Sequence, residues 1–351
     1  MKALRLYGPK DIRIEEVPVP AINENEILLK VKAAAFCGTD VRMWQYGYPG
    51  VDESKPLTLG HEFAGVIEKV GHNVPFYQPG MNVALQPNIG CGLCDRCVAG
   101  NFHLCDNYRA FGINMDGAFA DYVVIPEDAI TRGNITVLSD TPLFAESAII
   151  EPLSCAYSGF TKMQVEPGDY ALVVGAGPIG VMHVKLLHLA GAKVLLNDLS
   201  EERLAYCKSI LPYLETYAGD DLPGAVEAFT SGKGLDIAIT ANPAPSVQAA
   251  VLPLMNYGGR VNFFGGIPKE KQPVSIDTNL IHYRELIVTG STRSSIAHYR
   301  RVVNLVESGL LDISDLITDR YSIEEAETAI ENAKAAKGIK HIIEFNKCLT
   351  R

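Results

Sequence analysis

The stretch from Tyr170 to Asp198, YALVVGAGPIGVMHVKLLHLAGAKVLLND, constrains the fold more than any other part of the chain. A short apolar strand runs into Gly175, Gly177 and Gly180, a helical pattern follows, and a second apolar strand ends in an acid. Gly175 permits a tight turn, Gly177 lets the backbone approach a pyrophosphate, and Gly180 lets the helix pack closely on the strand. A helix opening with Pro178 and Ile179 aims its unpaired N–H groups at phosphates. Asp198, eighteen residues beyond Gly180, is placed to accept hydrogen bonds from ribose hydroxyls. Such a glycine pattern alone is more often a flexible turn. The strand before it, the helix after it and the acid at the next strand end make it a dinucleotide site. The apolar character of the stretch also suggests a membrane span, but His183, Lys185, His188 and the early glycines argue against one.

A chain of 351 residues, 47% of them hydrophobic, is long enough for two domains with separate cores. The formal charge of −10 leaves no general basic surface for gripping nucleic acid or an anionic membrane. Met1 to Gly8 begins directly with strand-like alternation and lacks the apolar core of a signal peptide, so a cytoplasmic location is expected. Of eight cysteines, four fall within the fifteen residues 91–105. Without an export signal, that crowding points to metal and not to disulfides.

Residues 1–36 alternate apolar and polar in short runs, which predicts a half-buried antiparallel sheet. Next come Cys37-Gly38-Thr39-Asp40, an expected aromatic loop carrying Trp44, Tyr46 and Tyr48, and Gly60-His61-Glu62. A lone cysteine is usually a buried small hydrophobe and a lone histidine a satisfied core or surface group. Thiol, imidazole and carboxylate together suit the mixed ligation of a catalytic zinc. The aromatic side chains either line a substrate cleft or pack against a neighbour.

Cys91-x2-Cys94-x2-Cys97-x7-Cys105 is the strongest short signal. Four thiolates at this spacing close a tetrahedral zinc site with no position left for substrate. The rivals are an iron–sulfur cluster, disfavoured by the seven-residue gap and the lack of a following proline, and two disulfides, disfavoured by a reducing compartment. The lobe from Ile89 to Asp106 has few large apolar residues, so the metal is expected to supply much of its folding free energy.

A strand pattern returns from Ala118 to Pro126, and Glu151-Pro152-Leu153 follows a helix-like run, AESAII. Beyond Asp198, helices SEERLAYCKSI, PGAVEAF and SVQAAVLPLM are expected among strands Leu235 to Thr240, Arg260 to Gly265 and Glu285 to Gly290. That alternation predicts a doubly wound parallel sheet. Helices Ile296 to Ser308 and Ile323 to Lys334 and a last strand, Lys340 to Phe345, are expected to rejoin the first domain.

Cys-Gly-Thr-Asp, Gly-His-Glu, the four-cysteine lobe, Glu-Pro and the glycine fingerprint, in this order, closely resemble the zinc-dependent medium-chain alcohol and polyol dehydrogenases. The resemblance spans essentially the whole chain and is greatest toward sorbitol and threonine dehydrogenases, which place a glutamate in the Glu-Pro position. It implies an α/β fold: a Rossmann domain at 155–290 that binds NAD, and a mainly β, GroES-like catalytic domain at 1–154 to which 291–351 returns. It implies two zinc ions (Zn2+) per chain. Cys37 and His61 hold the catalytic ion, Glu62 and Glu151 share the remaining coordination directly or through water, and Cys91, Cys94, Cys97 and Cys105 hold the structural one. Thr39 matches the hydroxyl that passes the substrate proton outward, and Arg293, in Gly-Ser-Thr-Arg, matches an arginine facing polyol hydroxyls. The implied reaction oxidises a secondary alcohol to a ketone, with substrate between the domains. Zinc as a Lewis acid lowers the pKa of bound water from ~16 to ~7 and acts similarly on an alcohol.

One position departs from the family. Many members carry a histidine three residues beyond Thr39, where this chain has Arg42. A guanidinium cannot accept a proton, so the relay ends differently, or Arg42 binds an anionic group of cofactor or substrate. Asp198 would repel a 2′-phosphate and Leu199 and Ser200 offer it no cation, although Arg203 lies within reach, so NAD is expected over NADP. The alternatives are a threonine-type amino alcohol or a polyol phosphate as substrate, and, from other classes, a zinc-free quinone reductase or a non-catalytic binding protein. Cys155, Cys207 and Cys348 read as incidental thiols, and His103 as packed within its lobe. The resemblance suggests a homo-oligomer, dimer or tetramer, with apolar strands such as Leu286 to Thr289 paired across a two-fold axis.

Overall fold

The structure, a computed structural model, describes residues 1–345. Cys348 lies outside the described residues. The chain divides into two compact units, one made of Met1–Ser154 and the residues from Ser294 onward, the other of Cys155–Arg293.

In the first unit, Lys2–Gly8 and Asp11–Glu16 pair antiparallel, with Ala3 opposite Glu15 and Leu4 opposite Ile14. A seven-stranded sheet is organised around Ile27–Ala35, whose sequence ILLKVKAAA is almost entirely buried. Its partners include Glu62–Val70, Tyr122–Ile125 and Lys340–Glu344, all antiparallel to it. Its last residue, Ala35, stands opposite both Glu62 and Ile342. One core joins Leu29, Val31, Phe63, Ile67, Phe119 and Ile343, all at most 1% exposed. Each such side chain contributes ~1.5–3 kcal/mol of burial free energy.

The second unit carries a six-stranded parallel sheet in the order Glu215–Tyr217, Lys193–Asn197, Tyr170–Val174, Leu235–Thr240, Met255–Phe263, Ile287–Gly290. Numbered by sequence that order is 3-2-1-4-5-6, the doubly wound arrangement. The buried strands read as continuous apolar runs because helices cover both faces.

Three local expectations need correction. Residues 38–46 form a helix, Gly38–Tyr46, where the aromatic content predicts a loop, and Trp44 is buried in the core while Tyr46 is exposed. Asp40 at its third position ties back to the Cys37 N–H, a capping pattern that starts a helix despite the aromatic content. The helix expected through Met255 ends at Ala250 and gives way to a 3-10 turn, Leu252–Leu254, because Pro253 has no N–H to continue it. The following strand therefore begins at Met255, five residues before Arg260, and ends at Phe263. Among the described residues, no helix is long and apolar enough to cross a membrane.

Candidate active site and metal centres

Sheet register brings the first cluster together. With Ala35 opposite Glu62, the chain leaving one strand at Cys37 lies beside the chain entering the next at His61. The ligand atoms of Cys37, His61 and Glu62 lie within 4.8 Å of one another. Asp40, fully buried, ties the two segments: its Oδ2 accepts from the Cys37 N–H at 2.9 Å, and its Oδ1 accepts from the Gly60 N–H at 3.4 Å and stands 3.5 Å from His61 Nδ1. From the neighbouring strand, Lys340 Nζ pairs with Glu62 Oε2 and donates to the Phe36 carbonyl at 2.7 Å, with both charged side chains at most 3% exposed. Glu62 Oε1 is left buried and without a hydrogen-bond partner.

Burial pushes the Glu62 carboxyl up, against the opposing pull of Lys340 and His61, to about 7. Burial disfavours the His61 imidazolium, yet the Asp40 carboxylate and the Cys37 thiol raise that imidazole well above its ordinary range. A thiol, an imidazole and a carboxylate oxygen, buried and with two atoms orphaned, form a donor set that a divalent zinc ion fits. Glu151, in the first turn of the helix Ile150–Phe160, is buried. Its carboxylate is not part of the 4.8 Å ligand cluster. Thr39 is half-buried on the first turn of its helix, and its Oγ1 accepts from exposed Arg42 Nη2 at 3.4 Å.

The second cluster comprises Cys91, Cys94, Cys97 and Cys105, with all four sulfurs within 4.8 Å of one another. Cys91 Sγ and Cys97 Sγ are 4.0 Å apart, and Cys94 Sγ and Cys105 Sγ 3.8 Å. A tetrahedron with zinc–sulfur bonds of about 2.3 Å has edges of about 3.8 Å, so this geometry fits one ion and excludes disulfide bonding. Backbone N–H groups of Leu93 and Cys94 hold the Cys91 thiol down at about 6, while burial pushes Cys97 up to about 12. His103 is buried in the lobe, and Leu93 and Val98 are exposed, leaving little apolar core there.

In the second unit the glycine turn has the expected mechanics. Gly175 has φ +115, which disfavours any L side chain, and a Cβ at Gly180 would stand 1.7 Å from the Gly175 carbonyl oxygen. The helix Pro178–Leu189 begins with Gly177 as its N-cap, and Ile179 follows Pro178 in its first turn. Both Asp198 oxygens accept backbone N–H groups, from Ala176 at 2.6 Å and Ser200 at 2.9 Å. The Arg203 N–H in turn donates to Ser200 Oγ at 3.3 Å. Arg293 is half-buried with a left-handed backbone, φ 55, at the last residue of its unit.

Sequence reasoning missed Lys340 and did not assign Asp40 a role. Asp40 carried a readable signal in its spacing from Cys37. Lys340 is 278 residues from Glu62, and nothing local announces that pairing.

Residues 23–134 match the alcohol dehydrogenase GroES-like domain and residues 178–308 the zinc-binding dehydrogenase domain. Over 349 residues the chain is 35% identical to L-threonine 3-dehydrogenase of Bacillus subtilis, covering 98% of each chain. The chain belongs to the zinc-dependent medium-chain dehydrogenases. Sorbitol dehydrogenase of Bacillus subtilis is 30% identical, covering 99% of this chain and 96% of that one. D-xylulose reductase A of Aspergillus oryzae is 34% identical, with 96% and 95% covered. Among solved structures, a chain from Sinorhizobium meliloti 1021 bound to NADP, described only as a zinc-binding dehydrogenase, superposes with TM-score 0.87 at 32% identity over 98% of this chain and 99% of that one. An Escherichia coli CFT073 alcohol dehydrogenase complexed with NADH gives 0.88 at 26%, with 98% and 99% covered. The chain is therefore an oxidoreductase of GroES-like and Rossmann architecture.

Proposed function

We propose that this protein oxidises a secondary hydroxyl of a polyol to the ketone, and catalyses the reverse reduction, with zinc and NAD. The observation that carries the reading is the buried group Cys37, His61 and Glu62, with an orphaned carboxylate oxygen, in a chain similar to sorbitol dehydrogenase and D-xylulose reductase. Cys37 Sγ, the His61 imidazole and Glu62 Oε1 would hold the catalytic ion. Glu151 would act from outside that set. Cys91, Cys94, Cys97 and Cys105 would hold the structural ion. We assign the alcohol chemistry to residues 1–154 with 291–351 and dinucleotide binding to 155–290.

A zinc ion in the first site would supply Lewis acidity toward a substrate hydroxyl, and bound NAD a hydride acceptor. The chain's own residues do the rest. Asp40 orients the Cys37 and His61 segments, and Lys340 opposes the effect of burial on the Glu62 carboxyl and fixes it by one oxygen. Thr39 Oγ1 takes the substrate proton. Arg42, a donor only, cannot receive it, so the proton leaves Thr39 for solvent on the exposed side of the helix. Arg293, and Arg42 where the substrate bears an anion, would contact substrate. Gly175, Gly177, Pro178, Ile179 and Gly180 would cradle the pyrophosphate, with Asp198 at the ribose and Arg203 one turn beyond.

The Asp198 carboxylate favours NAD over NADP by repelling a 2′-phosphate. A second reading, a threonine-type amino alcohol, is favoured by the 35% identity to L-threonine 3-dehydrogenase. A reducing compartment, the cytoplasm, suits seven cysteines outside any disulfide among the described residues. The edge strand Ile287–Gly290, with Ile287 48% exposed, suits a homo-oligomer, dimer or tetramer. The test is a panel of vicinal polyols, their phosphates and threonine, followed by NADH absorbance, with metal analysis alongside. Two zinc ions per chain and turnover of a polyol are expected. Turnover of threonine alone would transfer the assignment to the second reading, and one zinc with no turnover would overturn both.

A further inference from the structure

The four-cysteine lobe joins the rest of its unit through a narrow neck. Asn88–Ile89 enters the lobe and Arg109–Ala110 leaves it, paired antiparallel with Asn88 opposite Ala110 and Ile89 opposite Arg109. Between these strands there is little core, since Leu93 is 87% and Val98 77% exposed. With so few buried apolar contacts, opening of the lobe is governed by the neck and by a bound ion.

A turn outside the lobe closes that neck. The short helix Glu127–Thr131 ends at Arg132, whose guanidinium donates through Nη2 to the Cys91 carbonyl at 2.7 Å and through Nη1 to Asp128 Oδ2 at 3.1 Å. The same Asp128 oxygen pairs with Arg109 on the leaving strand. One carboxylate thus joins both legs of the neck, Arg109 directly and Cys91 through Arg132. The Arg132 and Asp128 side chains are 24% and 27% exposed, so the pair is partly shielded from salt. The guanidinium also lies against Gly92, where a Cβ would stand 2.7 Å from Arg132 Nε, an approach that a side chain would block. Two residues on, buried Asn134 donates through Nδ2 to the carbonyls of Gln86 at 2.7 Å and Asn88 at 2.8 Å, which pins the entering strand.

Cys91 is the cysteine nearest the neck, and its N–H donates to Cys105 Sγ at 3.3 Å. Its backbone therefore serves two of the four sulfurs, carrying one and supplying a donor to another. A hold on the Cys91 carbonyl limits the motion of both. We infer that Arg132, braced by Asp128, is a positioning residue of the four-cysteine site, clamping the Cys91 carbonyl so that the lobe retains its ion. The inference rests on the proposed structural zinc site. Arg132 acts through the Cys91 backbone, and groups outside the ligand set typically change metal affinity 10–100-fold when removed.

The test is Arg132→Met in the full-length, zinc-loaded protein, challenged with a chelator in the presence of a thiol-reactive dye. An ion lost from the four-cysteine site exposes four thiols, and one lost from the Cys37 site exposes a single thiol, so the stoichiometry identifies the site. The expected result is at least tenfold faster appearance of the four-thiol phase, with the one-thiol phase unchanged. Arg300→Gln removes a donor that reaches the Gly133 carbonyl, in the same turn, at 2.9 Å, and should leave both phases at their wild-type rates. Asp128→Asn keeps the guanidinium and removes the charge that braces it; it should give a smaller acceleration, and it carries the test if Arg132→Met does not fold. Wild-type four-thiol kinetics in Arg132→Met, or in Asp128→Asn where that variant carries the test, would overturn the inference. Equal acceleration by Arg132→Met and Arg300→Gln would also overturn it, because Arg132 would then serve only the stability of the turn. A wild-type chain that releases no zinc together with four thiols would instead remove the structural site itself, and the inference with it.

Discussion

His183, on the helix after the glycine turn, offers a clean measurement because it lies in the unit without metal clusters. It is fully buried, neither ring nitrogen has a hydrogen-bond partner, and the edge of Phe264 packs against it at 4.9 Å. Burial alone depresses its pKa from 6.5 to about 3. A base whose folded pKa is depressed leaves stability intact above the unfolded value and loses it as pH falls from 6.5 toward 3. At pH 5 the unfolded chain has taken up a proton that the folded chain refuses. Over those ~1.5 units, at ~1.4 kcal/mol per unit, the loss is about 2 kcal/mol. His183→Leu, similar in volume, removes both this loss and the pH-independent cost of two unpaired nitrogens, ~1–3 kcal/mol. The variant should therefore be more stable than wild type at pH 8, and its advantage should grow by about 2 kcal/mol at pH 5. Comparing urea unfolding of the two proteins at both pH values cancels every other titrating group. An advantage that is the same at pH 8 and pH 5 would show that this imidazole is protonated or solvated in the fold, and the reasoning would fail.

Lys340→Met strands Glu62 as an unpaired buried carboxylate and should cost about 3–5 kcal/mol in metal-depleted protein, with much of it restored in the Lys340→Met, Glu62→Gln double variant; thermal melts of the set decide it, and a single variant that melts with wild type would count against the pairing. Asp198→Ser should narrow the ratio of NAD to NADP efficiency, read from kcat/KM with each cofactor, and an unchanged ratio would remove the repulsion argument. Cys97→Ser should reduce bound zinc from two ions to one and make the 91–105 lobe sensitive to protease. Two retained ions with an intact lobe would mean that the other three thiolates suffice.

The parallel sheet is legible in the sequence because its central strands, Tyr170–Val174, Lys193–Asn197 and Leu235–Thr240, are largely buried and read as mainly apolar runs. The cysteine lobe is legible because its ligands are close in sequence. Residues 38–46 mislead because aromatic content suggests a loop, whereas a single cap, Asp40 to the Cys37 N–H, decides for helix. The start of the strand Met255–Phe263 is obscured by the apolar run around Pro253, which suits helix and strand equally. Lys340 is invisible for another reason. It acts on Glu62 across 278 positions, and no periodicity encodes which strand will lie alongside.

The strand Ile27–Ala35 explains why the site can nevertheless be assembled from scattered segments. Its last residue, Ala35, fixes two neighbours at once, Glu62 on one side and Ile342 on the other. The chain leaving it is held at Phe36 by the His341 carbonyl, through a 2.9 Å bond from the Phe36 N–H, and by Lys340 Nζ on the Phe36 carbonyl. A one-residue slip in either pairing would turn Glu62 or Lys340 to the opposite face of the sheet. Either slip would leave one charge of the pair buried and alone, at a cost of several kcal/mol. The buried pair therefore disfavours misregistered sheets as well as orienting a carboxylate. The lysine at the far end of the sequence serves the metal centre by fixing the register on which that centre depends.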